Sequence, residues 1–203
     1  MLQLPLLQVD PDVHFTKFPR HPKEIRNLIV CQRHPRIVQL LGRSANHDMV
    51  FGRLPSFISV APFYLGSVQG MKEALMQLID RLSFLHSKGI IHWDLHVNNL
   101  LLNAKNEIVI CDLEAKLANP YCRTPELYVD NPTYTSKMDI YAMGRLIWSM
   151  YFQNTPREKF LAEFLPPPEL FATIYQACLL KDPAEHPSLM QVREMVTEIQ
   201  VLE

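Results

Sequence analysis

The chain has 203 residues, of which 48% are hydrophobic and 20% charged. That balance suits one globular domain with a sizeable core and excludes a disordered or low-complexity polymer. A formal net charge of −1 gives no electrostatic footprint for nucleic acid or an anionic membrane surface.

The opening Met1-Leu2-Gln3-Leu4-Pro5-Leu6-Leu7 is too short and too interrupted for a signal peptide or a membrane span. Val13 to Lys17 alternates as a strand does and is ended by Pro19 and Pro22. A helix is expected over Lys23 to Arg33, with Ile25, Leu28 and Ile29 on one face. Ile37 to Leu41, Met49 to Phe51 and Phe57 to Val60 read as short strands. Ala61 to Gly70 carries Pro62, Gly66 and Gly70, the composition of a hinge between two lobes. Beyond it Met71, Leu75, Leu78, Ile79, Leu82 and Leu85 recur at helical spacing, and Lys88-Gly89 closes that helix. Leu100 to Leu102 and Glu107 to Cys111 flank Asn103-Ala104-Lys105-Asn106 as a hairpin. Ile140, Met143, Ile147, Met150 and Tyr151 mark a buried helix. Two more are expected, at Glu169 to Leu180 and Leu189 to Leu202. Cys31, Cys111, Cys122 and Cys178 lack paired ligand spacing, which argues against zinc and for reduced thiols in an intracellular, cytoplasmic protein.

The chemistry concentrates in His92-Trp93-Asp94-Leu95-His96-Val97-Asn98-Asn99 and Asp112-Leu113-Glu114. An Asp, an Asn five residues later and an Asp thirteen beyond that match the needs of phosphoryl transfer. One carboxylate orients an attacking hydroxyl, while an amide and a second carboxylate hold Mg²⁺. Each of these residues could equally serve loop backbone, which Asp and Asn bond well.

Other runs stand in order around this segment: His34-Pro35-Arg36-Ile37-Val38, Leu85-His86-Ser87-Lys88-Gly89-Ile90-Ile91-His92, Thr124-Pro125-Glu126, Asp139-Ile140-Tyr141-Ala142-Met143-Gly144, and Cys178 through Asp182-Pro183 to His186-Pro187-Ser188. Together they resemble the protein-kinase superfamily, in the texture of shortened fungal kinase-like proteins. The resemblance implies an α+β, two-lobed fold with a truncated N-lobe (1–65) and a mostly helical C-lobe (66–203). It also implies Asp94 as the catalytic Asp, Asn99 and Asp112 as metal ligands, Lys17 as the phosphate-positioning Lys and Glu24 as its helix partner. Asp139 is expected to anchor the catalytic loop from beneath.

Several departures from that pattern bear on activity. All six glycines lie at or beyond Gly42, so no glycine-rich loop brings Cβ-free backbone to the phosphates. Phe15, two residues before Lys17, is expected to fill space that a purine needs. Only six residues, two of them prolines, separate Lys17 from Glu24, which argues against an ion pair between them. Trp93 replaces an Arg that would receive a loop phosphate, Glu114 adds a carboxylate at the metal position, and His186 stands where an Arg would pair with Glu126. His96 replaces the catalytic-loop Lys and is similar to the His of aminoglycoside- and choline-type small-molecule kinases, which makes it a candidate catalytic residue.

These departures favour a degenerate kinase fold, a pseudokinase binding or regulatory module, with no cofactor expected and a protein partner or small ligand in the interlobe cleft. The alternative is an active phosphotransferase on Ser/Thr or a small molecule, using ATP and Mg²⁺. A third reading gives the cleft to other chemistry, with His92 and His96 as acid–base candidates.

Overall fold

The computed structural model describes residues 4–59, 67–114, 134–152 and 169–201, together with Thr124, Leu127 and Pro167. Among the described residues, its first half holds a small antiparallel sheet and the helix that follows the first strand. Strand β1 (His14–Lys17) and strand β2 (Leu40–Arg43) flank β3 (Met49–Gly52), in the order β1-β3-β2. The register sets Phe15 opposite Phe51 and Lys17 opposite Met49. Because strand side chains alternate faces, Phe15 and Lys17 share one face of the sheet. Leu6 bridges Arg43, so the early segment lies along the β2 edge.

Helix α1 (Pro22–Val30) follows β1 directly. Its start is set by His21, whose Nδ1 accepts the Lys23 N–H at 3.2 Å, and by Pro22 in the first turn. Ile37, expected in a strand with residues to Leu41, instead makes an isolated bridge to Ile110. Of the strand expected over Phe57 to Val60, the described part is not extended, and Val60 lies outside the described residues. Phe57 to Ser59 are helical, and Ser59 donates from both its backbone N–H and Oγ to the Ser56 carbonyl. Phe57 still points inward and is buried, as its apolar character requires. The hinge and lobe boundary expected around Ala61 to Gly70 fall largely on residues outside the described set.

The second half is helical around a hairpin. Helix α2 (Val68–Ser87) is N-capped by Ser67 and buries Met71, Leu75, Leu78, Leu82 and Leu85 along one stripe. Gly89, at φ 68°, supplies the left-handed residue that ends it. Strands β4 (Leu100–Leu102) and β5 (Ile108–Ile110) pair antiparallel, with Asn106 in the turn at φ 59°. Helix α3 (Lys137–Phe152) is buried at every position from Met138 to Met150. That matches a helix apolar on nearly all sides. Helices α4 (Glu169–Cys178) and α5 (Leu189–Glu198) close the core, α5 starting in a capping box between Ser188 and Gln191. The architecture is the α+β arrangement expected. Among the described residues, no helix is long and apolar enough to cross a membrane.

The α3–α4 contact depends on one glycine. A Cβ at Gly144 would lie 2.8 Å from Cys178 Cβ and 3.0 Å from Leu179 Cγ, closer than packed carbons tolerate. Gly144→Ala should therefore cost about 1–3 kcal/mol through overpacking. The measurement is the urea midpoint, which should fall with an unchanged slope. An unchanged midpoint would refute this close packing.

Candidate functional site: a cleft between sheet and hairpin

A cavity of roughly 430 Å³ opens between the sheet and the β4–β5 hairpin, within the size range of small-molecule sites. Phe15, Lys17, Glu24, Asn99 and Asp112 all line it. Phe15 is 49% exposed and forms part of the wall. The sequence places this ring where a purine would sit, and the structure puts it on the cavity wall.

Lys17 and Glu24 do form an ion pair. Lys17 Nζ lies 2.7 Å from Glu24 Oε1 and 2.5 Å from Asp112 Oδ1, with Glu114 Oε2 at 3.9 Å. The short connection argues against this contact only if it runs straight. Pro19 and Pro22 fix φ on either side of Arg20, and α1 starts at once, with Glu24 in its first turn facing back toward β1. Burial opposes the Lys17 charge, but the bonds to Asp112 and Glu24 outweigh it and hold the ammonium above its ordinary value. Burial pushes the Glu24 carboxyl up, and Lys17 only partly offsets that. The two shifts describe one buried pair, in which Glu24 carries the larger desolvation cost.

Asp112 sits just after β5 at φ 61°, an unusual backbone for a non-glycine residue. Asn27 of α1 holds this bend by donating from Nδ2 to the Leu113 carbonyl at 2.8 Å. Sequence reading missed Asn27. Its signal is its place three residues after Glu24, on the same helical face.

Asp94, His96 and Asn99 meet on the loop before β4. Asn99 Nδ2 donates to the Asp94 carbonyl at 2.8 Å and reaches Asp94 Oδ2 at 3.3 Å. His96 Nε2 lies 3.5 Å from Asp94 Oδ2, and its Nδ1 accepts from Asn98 N–H at 3.3 Å, capping the short turn Val97–Asn99. The Asn99 carbonyl accepts from Cys111 N–H at 3.0 Å, which joins this group to the Asp112 bend. His92 is different. It is fully buried and bonded through Nε2 to the Cys111 carbonyl, so it packs in the core and does not face the cleft.

Beneath the loop, Asp139 takes three hydrogen bonds. Oδ2 accepts from His92 N–H at 2.9 Å and contacts His86 Nε2 at 2.8 Å, while Oδ1 accepts from Trp93 N–H at 2.9 Å. The Trp93 ring stacks on Tyr134 at 4.2 Å, with Lys23 Nζ 5.0 Å from its centroid. An aromatic and cation–π contact thus fills the place expected of a phosphate-pairing Arg. His186 Nε2 reaches the Leu180 carbonyl; its expected partner Glu126 lies outside the described residues.

The donor set fits a hard divalent cation. Asn99 turns its N–H toward Asp94, which leaves the amide oxygen for a ligand, and Glu24 Oε2 is buried without a hydrogen-bond partner. Glu24, Asp112 and Glu114 each offer an oxygen within 4.8 Å of the others. Oxygen donors of this kind suit Mg²⁺.

The sequence profile of the protein kinase domain matches residues 13–163. A probable serine/threonine-protein kinase of Dictyostelium discoideum is 25% identical over 229 aligned residues, covering 95% of this chain and 25% of its own. A serine/threonine/tyrosine-protein kinase of Arabidopsis thaliana is 25% identical over 169 residues, covering 68% of this chain and 43% of its own. The serine/threonine-protein kinase RUNKEL, also of Arabidopsis thaliana, is 32% identical over 139 residues, covering 53% of this chain and 10% of its own. The chain thus spans less than half the length of these relatives. The matched region, the order of its motifs and the α+β fold agree: this chain belongs to the protein kinase domain family.

Proposed function

We propose that this domain is an active phosphotransferase of the protein kinase type, moving the terminal phosphoryl group of ATP to a serine or threonine hydroxyl. The observation that carries this reading is the Lys17 ammonium bound to both Glu24 and Asp112, at 2.7 and 2.5 Å, on the wall of an open cleft. That pairing joins α1 to the sheet and to the Asp112 bend, so three elements hold one geometry. Positioning and charge placement supply most of phosphoryl-transfer catalysis. Asp94 would accept the hydroxyl proton as the oxygen attacks the terminal phosphorus and ADP leaves with the electrons of the broken bridging bond, while Lys17 would position the phosphates and Asn99 and Asp112 would hold the metal. Mg²⁺, when bound, neutralises phosphate charge. The serine/threonine names of the relatives support the substrate class.

A degenerate binding module is the second reading. It is favoured by Glu114, which brings a third carboxylate to 3.9 Å from Lys17. The two readings separate in an assay of labelled phosphate transfer from ATP·Mg²⁺ to a peptide library presenting Ser and Thr. Incorporation that disappears in Asp94→Asn supports the enzyme. No transfer by the wild-type protein gives the cleft to the binding module.

A further inference from the structure

Lys17 cannot hold a polyphosphate alone, because its charge is shared with three carboxylates before any phosphate arrives. Its one ammonium faces Glu24, Asp112 and Glu114, at 2.7, 2.5 and 3.9 Å. A nucleotide polyphosphate entering the cleft would meet three carboxylates against one ammonium, and one divalent metal would only cancel that difference, leaving no surplus positive charge for the phosphates. Another donor is needed on the same wall.

Arg20 meets that need. It lines the cavity beside Lys17 and Glu24. It lies in the connection between β1 and α1 with Pro19 on one side and His21-Pro22 on the other. The two prolines stiffen the turn, and the His21 cap fixes where α1 begins. The side chain is exposed and pairs with no other described residue, so none of these competes with a ligand for its five N–H groups. A guanidinium fork matches two phosphate oxygens at once and stays charged at any working pH.

We infer that Arg20 is the phosphate anchor of this cleft: its side-chain fork supplies donors that the shared Lys17 ammonium cannot, and it selects nucleoside polyphosphates over nucleosides. This rests on the nucleotide-binding reading above.

The test is calorimetry on the full chain with adenosine, ADP and ATP, each with Mg²⁺, for wild type, Arg20→Ala and Arg20→Lys. In the wild type, affinity should rise from adenosine to ATP. Arg20→Ala should weaken ATP by about tenfold to a hundredfold, as expected for lost charge-assisted bonds, and leave adenosine unchanged. Arg20→Lys should recover part of the loss, because a point charge replaces the fork. An unchanged melting temperature without nucleotide serves as the folding control. If Arg20→Ala keeps the wild-type ratio of ATP to adenosine affinity, the anchor is refuted and nucleotide binding stands. If the wild type binds adenosine as tightly as ATP, the anchor fails in the same way. If it binds neither, both the anchor and the reading beneath it fall.

Discussion

Replacing Asp139 with Ala should lower the melting temperature by roughly 6–20 °C. The side chain is fully buried and accepts from His92 N–H and Trp93 N–H while contacting His86 Nε2. Ala leaves those groups without an acceptor in a place water does not reach. Breaking a buried charged network by removing one partner costs about 3–5 kcal/mol, and each kcal/mol is worth about 2–4 °C in a chain of this size. Trp93 adds to the effect. Its φ of 69° is strained for a residue with a side chain, and the bond from its N–H to Asp139 Oδ1 helps hold it there. Asp139→Asn should cost less, since its carbonyl oxygen keeps one donor satisfied while its amide confronts another. The check is a thermal melt followed by circular dichroism. A fall of less than about 2 °C for the Ala variant would mean the loop holds its shape without this anchor.

The anchor was readable before any coordinates, and the reason is physical. Asp139 opens a run of apolar residues whose helical period is plain, so its burial follows from theirs. The same holds for α2, where Leu75, Leu78, Leu82 and Leu85 state the buried face. Phe57 to Val60 was not readable, because a short apolar run after Pro55 fits a strand or a turn of helix equally well. The Lys17–Glu24 contact was misread for another reason. Residue count along a connection does not give distance in space when prolines bend the path. Trp93 and Tyr134 lie far apart in sequence, and nothing local in either predicts their stack. Asn27 could be found only once Glu24 was known to face the cleft.

Glu24 and Asp112 show how the site and the fold trade against each other. Glu24 is buried with one oxygen unpartnered, a cost that a core residue of the same volume would not carry. Its carboxyl is pushed up by burial, so in the folded chain the proton is held more tightly than in the unfolded one. Stability from this group is therefore greatest at low pH and declines as pH rises from about 4.5 through the raised folded value. A group kept under such conditions serves the cleft, where its other oxygen fixes Lys17.

Asp94→Asn and Asp112→Asn should leave the fold nearly unchanged and abolish most of the phosphotransfer. Asp112 is about a third exposed, and a pair at that exposure contributes about 0–1 kcal/mol. Lys17 also keeps Glu24, and relief of crowding among three carboxylates offsets part of the loss. Asp94 likewise faces water, and an Asn there still accepts from Asn99 Nδ2. Melting temperatures should then stay within roughly 4 °C of wild type. Activity should respond very differently. Loss of a positioned general base costs about 10²–10⁴ in rate, so Asp94→Asn should lower kcat by that range with KM for ATP little changed. Asp112→Asn removes a metal ligand instead, and should raise KM for ATP as well as lower kcat. The comparison of the two variants tests the roles separately. Asp94→Asn at full kcat would take the proton-accepting role away from Asp94, and an unaltered KM for ATP in Asp112→Asn would take the metal away from Asp112. If both variants keep wild-type kinetics, transfer does not occur in this cleft at all.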